Sequence, residues 1–147
     1  MVKINKKVEY ALIALKHMSD KKDETLTTAR EISDIYHTPF DTTAKVMQQM
    51  NSMGFFNSQK GVKGGYSLKI DLRTISYLQL VELIEGKKAI MDCTENNCNL
   101  LGSCNIVHPI NKLNKHLNYF FKTLSLEELL NQNSNDPVER ILEVTGV

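Results

Sequence analysis

The chain holds 147 residues, 41% hydrophobic and 24% charged, with 7 Gly and 3 Pro, which excludes a disordered or collagen-like polymer and fits one domain with at most a small appendage. A chain of this length can hide about 68–70% of the surface its unfolded form exposes, so a core needs neither disulfides nor a metal to hold it. Apolar runs fall far short of the roughly 18 residues needed to cross a bilayer, and MVKINKK leads into no apolar stretch with a small-residue cleavage site, so a cytoplasmic protein without a membrane partner is expected.

The formal net charge of +1 conceals a division. Residues 1–73 carry 12 Lys/Arg against 8 Asp/Glu, and residues 74–147 carry 6 against 9. A basic first half suits a polyanion, and the acidic second half suits a different task. All 3 cysteines lie between residues 93 and 104. An odd cluster in a reducing compartment points to metal or redox chemistry instead of a disulfide framework.

In chain order, Val8, Ala11, Leu12, Leu15 and Met18 recur at steps of three and four and predict a first helix between Asn5 and Asp20. Thr27 or Thr28 caps a second helix through Tyr36, with Glu31 placed for a capping box and Ala29, Ile32 and Ile35 or Tyr36 facing inward. His37, Thr38 and Pro39 break it. Thr38 as cap and Pro39 in the first helical position then start a third helix, which Gly54 ends near Met53. Its inward residues are Val46, Met50 and Met53, and Thr42, Thr43, Lys45, Gln48 and Gln49 are read as mostly outward.

Two short helices joined by a tight break make a helix-turn-helix. Strand-like Phe55–Ser58 and Tyr66–Leu68 follow, joined through Gly61, Gly64 and Gly65 by a turn that carries Lys60 and Lys63. A helix-turn-helix followed at once by a basic glycine-rich hairpin is a winged helix, and double-stranded DNA is the expected partner. Thr42, Thr43, Lys45 and Gln48 would face bases or phosphates in the major groove, Lys60 and Lys63 would touch backbone or minor groove, and Thr28 joins them as a DNA-binding candidate.

Ser76 then caps a helix bearing Leu80, Val81 and Ile84 that ends at Gly86. After the cysteine loop, Ile106, Ile110, Leu113, Leu117, Phe120, Phe121 and Leu124 predict a helix of about 18 residues, roughly 27 Å long. Such a stripe suits pairing with its twin in a homodimer, which would set two recognition helices on two half-sites, although it could also fold back on its own domain. SLEELLN reads as one more short helix, and a polar tail follows. The fold expected is mainly α (α+β): a winged helix-turn-helix domain over 1–86, a cysteine loop over 87–105, a dimerisation helix region over 106–131 and a tail over 132–147.

Cys93, Cys98 and Cys104 are separated by four and five residues. Zinc could take these three thiolates with His108 as fourth ligand, yet its usual close C-x-x-C pairs are missing. An iron–sulfur cluster has a wider inorganic core and tolerates the longer spacing, and a weak fourth ligand leaves one iron open to reagents. Three cysteines without any bound group remain the plain alternative.

VEYALIAL in the first helix, GVKGGYSL in the wing, the three-cysteine loop before a long helix and the SLEELL segment together resemble the IscR/NsrR/RirA-type family of iron–sulfur winged-helix transcription regulators, NsrR-like members above all. The likeness runs to about Asn131. It implies a homodimeric repressor sensing nitric oxide, redox state or iron–sulfur status, in which Cys93, Cys98 and Cys104 bind a cluster, [4Fe-4S] favoured over [2Fe-2S]. NsrR-like members draw a fourth ligand from an acidic residue near the start of the partner's first helix, the place of Glu9. IscR-like members use a histidine soon after the third cysteine, and His108 stands one residue later than that pattern. Ligation by Glu9 would tie the first helix to the loop, and loss or nitrosylation of the cluster would release it and change the spacing of the recognition helices.

A cluster-free winged-helix regulator sensing zinc or thiol oxidation is the alternative. A redox enzyme or electron carrier has no use for a basic wing, and the chain shows no nucleotide-binding glycine fingerprint, HExxH or nucleophile elbow. His17 and His116 read as surface or packing residues.

Overall fold

The computed structural model describes residues 4–21, 25–86 and 98–131. Helix α1 (Lys6–Asp20) begins where the Asn5 side chain accepts the Lys7 N–H at 2.9 Å, and it buries Val8, Ala11, Ala14, Leu15 and Met18 along one stripe. Helix α2 (Ala29–Tyr36) is capped by Thr28, whose hydroxyl accepts the Glu31 N–H at 3.1 Å. The capping box stays half made, because the Glu31 carboxylate turns away toward α1. Ala29 and Ile32 face inward, whereas Ile35 and Tyr36 are exposed.

His37 takes a left-handed conformation (φ 54°) and turns the chain toward α3 (Phe40–Ser52). This helix starts one residue later than the Thr38 cap predicts, with Pro39 at the cap. The Thr38 hydroxyl is engaged elsewhere, 2.7 Å from that of Thr43, which itself donates to the Pro39 carbonyl at 2.9 Å. At its far end the Gly54 N–H bonds Asn51 O and the Phe55 N–H bonds Met50 O, with Gly54 at φ 86°, so a Schellman motif closes the helix.

The wing follows: β1 (Phe56–Gln59) pairs antiparallel with β2 (Gly65–Leu68), Phe56 opposite Leu68 and Gln59 opposite Gly65. A Cβ on Gly64 would run into the Gln59 carbonyl oxygen, so the turn needs glycine there. Thr27 and Tyr66 exchange two backbone hydrogen bonds of 2.8 Å, which tie the hairpin to the residues before α2.

Helix α4 (Tyr77–Glu85) has a complete capping box between Ser76 and Gln79 and ends at left-handed Gly86. Helix α5 (Val107–Thr123) has no buried residue, and its Phe121 ring lies 5.2 Å from Tyr77 of α4. Helix α6 (Leu126–Leu130), capped by Ser125, returns the chain to the first unit. Leu126 is fully buried, and its N–H bonds Ile75 O at 2.8 Å. One core therefore joins Leu15, Ile32, Met47, Met50, Phe55, Leu80 and Leu126. Burying each such side chain contributes about 1.5–3 kcal/mol before the entropy cost of ordering it.

Candidate functional site

Helix α3 buries Thr43, Val46, Met47 and Met50, and this register decides which residues face out. Asp41, Lys45, Gln48 and Ser52 are exposed at spacings of three and four, so they form the outer stripe. Thr42 is half-buried at its edge. Thr43 is a correction to the sequence reading: it is fully buried, and its hydroxyl serves the internal pair with Thr38 and Pro39, so it presents nothing outward. Gln49 is turned aside as well, its amide donating to the Leu83 and Ile84 carbonyls at 3.2 Å each. Those carbonyls belong to the last turn of α4, where the helix leaves them without partners of its own.

Thr28 is half-buried and committed to its cap. Lys60 and Lys63 are exposed on the wing turn beside Val62, and no acidic residue occurs from Phe56 to Leu68. The sequence reading missed Asp41 and Ser52, which only the register set by buried Thr43 reveals. It also missed Arg30, whose guanidinium carbon lies 3.8 Å from the centroid of the Phe40 ring.

Behind this face, His17 of α1 bridges two residues of α2. Its Nε2 lies 2.8 Å from Glu31 Oε1 and its Nδ1 lies 2.9 Å from the Tyr36 hydroxyl. Lys21 Nζ donates to the same Glu31 oxygen at 3.0 Å. Burial works to raise the Glu31 pKa, but the hydrogen bonds from His17 and Lys21 outweigh it and hold the carboxyl below its ordinary value.

Cys93 lies outside the described residues. Cys98 is exposed, Cys104 is half-buried, and both are free thiols. Cys98 opens a run of turns in which its carbonyl accepts the Leu101 N–H at 3.1 Å and that of Leu100 accepts the Ser103 N–H at 3.0 Å. His108 is exposed in the first turn of α5. No side chain caps that helix at Ile106. Glu9 lies near the start of α1, paired with Lys6 at 2.8 Å in an exposed ion pair. Among the described residues, one chain by itself gathers no group of three His, Cys, Asp or Glu for a metal. The donor chemistry suits iron and sulfide, since both described thiols are uncommitted.

A model of the Rrf2 family, described as an iron-dependent transcriptional regulator, matches residues 4–132. The chain belongs to the Rrf2 family. It is 27% identical to the transcriptional regulator NsrR of Oceanobacillus iheyensis, over 98% of this chain and 97% of that protein. It is 29% identical to the transcriptional repressor NsrR of Streptomyces coelicolor, over 71% of this chain and 72% of that one. Among solved structures, CymR, the global cysteine regulator of B. subtilis, superposes with a TM-score of 0.70, covering 91% of this chain and all of that one. At 18% identity that likeness shows the shared fold. As an Rrf2 protein the chain is a regulator of transcription and not an enzyme. Among the described residues no helix is long and apolar enough to cross a membrane.

Proposed function

We propose that this Rrf2 protein is a cytoplasmic, homodimeric repressor that binds an operator in double-stranded DNA and answers to nitric oxide, redox state or iron–sulfur status through its cysteine loop. The observation that carries this reading is the pair of uncommitted thiols, Cys98 and Cys104, in the turns leading into α5, a helix with no buried residue in the single chain. Cys93, Cys98 and Cys104 would hold an iron–sulfur cluster, [4Fe-4S] before [2Fe-2S], with Glu9 of the partner subunit or His108 as fourth ligand. Such a cluster supplies an iron site that reacts with nitric oxide and oxidants.

The chain's own residues do the rest. Lys45, Gln48 and Thr42 on α3 face bases and phosphates, Lys60 and Lys63 on the wing meet the backbone, and Thr28 fixes the first turn of α2. Glu31 joins α1 to α2 through His17 and Lys21, and Gln49 joins α3 to the end of α4, beside the start of the cysteine loop. A change in the loop therefore has two short routes to the reading helix. A coupling of about 1–3 kcal/mol along them changes DNA affinity by about 5- to 150-fold.

A second reading, a cluster-free regulator sensing zinc or thiol oxidation, is favoured by the exposure of the Cys98 thiol. Anaerobic reconstitution with iron and sulfide separates the two. Visible absorption that nitric oxide alters, together with altered DNA binding, supports the cluster. Stoichiometric zinc, or a colourless protein that responds to peroxide, supports the alternative. Glu9→Ala and His108→Ala then assign the fourth ligand, since only the ligand's loss makes the chromophore labile.

A further inference from the structure

Arg30 occupies the first turn of α2, and Asp34 stands one turn further along the same helix, where an (i, i+4) ion pair would be the ordinary outcome. No such pair forms. Among the described residues the Arg30 guanidinium makes no ion pair and no hydrogen bond, with Asp34, Glu31 or Asp41. It lies instead over the exposed ring of Phe40, the first residue of α3, at 3.8 Å from the centroid. Glu31, its sequence neighbour, is occupied by His17 and Lys21.

An aromatic platform restricts a long side chain without satisfying its five N–H donors, which leaves the planar fork ordered and available. Arg30 and Phe40 both lie at the starts of their helices, and Phe40 directly precedes the outer stripe that begins at Asp41. The group suited to an exposed, pre-ordered guanidinium at that edge is a phosphate oxygen pair of the DNA backbone, bound bidentately.

We propose that Arg30, oriented by Phe40, is a phosphate contact of the DNA-reading surface, so that α2 and not only α3 and the wing grips the duplex. This rests on the DNA-binding reading above. Phe40 is the positioning residue: it orders the fork and leaves the charge with Arg30.

The test is the salt dependence of binding by the full-length protein, measured on a random-sequence duplex long enough for two half-sites and on an operator selected from it. Each phosphate contact contributes a slope of about 0.9 to the plot of log affinity against log salt concentration, so Arg30→Gln should lower its magnitude by about 0.9 per subunit on both probes alike. At about 0.1 M salt this corresponds to a loss of about eightfold per subunit. Arg30→Lys should restore most of the slope and less of the affinity, because a point charge replaces a fork. Phe40→Leu should weaken binding while leaving the slope near that of the parent. An Arg30→Gln protein with unchanged slope, whatever its stability, overturns the inference and shows the pair to be a joint between α2 and α3. A parent protein that binds neither duplex overturns the DNA-binding reading itself.

Discussion

Glu31 Oε1 lies 2.8 Å from His17 Nε2, so a carboxylate of the first helix of the helix-turn-helix fastens it to α1, beside the tie from His17 to the Tyr36 hydroxyl. Lys21 shares that Glu31 oxygen, and all three side chains are mostly shielded, at 16%, 18% and 29% exposed for His17, Lys21 and Glu31. The Glu31 pKa is lowered in the folded protein, so the unfolded chain takes up its proton first as pH falls. The stabilisation is thus fully present above the ordinary carboxyl value of 4.5 and is lost as pH drops through the lower folded value. Glu31→Gln should unfold about 1–3 kcal/mol more easily at neutral pH, with the difference from the parent shrinking below about pH 4. Urea titrations at several pH values decide this, and a difference that does not change with pH would refute it.

Thr43 links the break between the two helices to the body of α3. Its hydroxyl donates to Pro39 O and lies against that of Thr38, both threonines being buried. Thr43 spends its one proton on Pro39, so Thr38 is the donor of the pair. Thr43→Val keeps the shape and leaves the Thr38 proton without an acceptor, which should cost about 1–3 kcal/mol. Unfolding midpoints should fall while the preferred operator, found by selection, stays the same. A changed operator with unchanged stability would place Thr43 at the DNA after all.

Gly64 permits the wing turn to pass close to Gln59. In Gly64→Ala the methyl group meets the Gln59 carbonyl oxygen and lies 2.9 Å from that of Gly61, so the turn carrying Lys60 and Lys63 must shift. DNA affinity at about 0.1 M salt should fall by about eightfold per subunit, about sixtyfold for the dimer, if one phosphate contact per subunit is lost, with helix content by circular dichroism unchanged. Parental affinity would mean that the wing lysines do not hold DNA.

Leu113 and Phe120 of α5 are 51% and 46% exposed in the single chain, on the same side as Ile106 at 53%. Leu113→Glu places a charge where a twin helix would pack, so sedimentation should show a monomer whose circular dichroism matches the parent. A protein that remains a dimer would assign pairing to another face.

Local chemistry made much of this fold legible. Thr28 and Ser76 cap their helices as their positions predict, and the amphipathic stripes of α1 and α4 lie where periodicity puts them. What stayed hidden depends on tertiary choice. Nothing in the spacing of Thr42, Thr43, Gln48 and Gln49 tells which of two threonines or two glutamines turns inward, because a helix register of one residue rotates each by about 100°. The retreat of Glu31 from its own cap required knowing that His17 and Lys21 approach from another helix. Leu126 shows the same limit: SLEELLN reads as one more short helix, but nothing in those residues tells that its first leucine completes the core of the first unit. For the cysteine loop, spacing suggests a type of donor but no arrangement of ligands, and among the described residues a single chain gathers no group of three His, Cys, Asp or Glu.

The clasp of Gln49 on the Leu83 and Ile84 carbonyls limits how this protein could be retargeted. A library built by randomising every polar position of α3 would include Gln49 and Thr43, and most members would lose a joint before gaining a new taste in sequence. On the DNA-binding reading, the adjustable alphabet is Asp41, Thr42, Lys45, Gln48 and Ser52. Any engineer or mutation that widens it must first find the α4 terminus another partner.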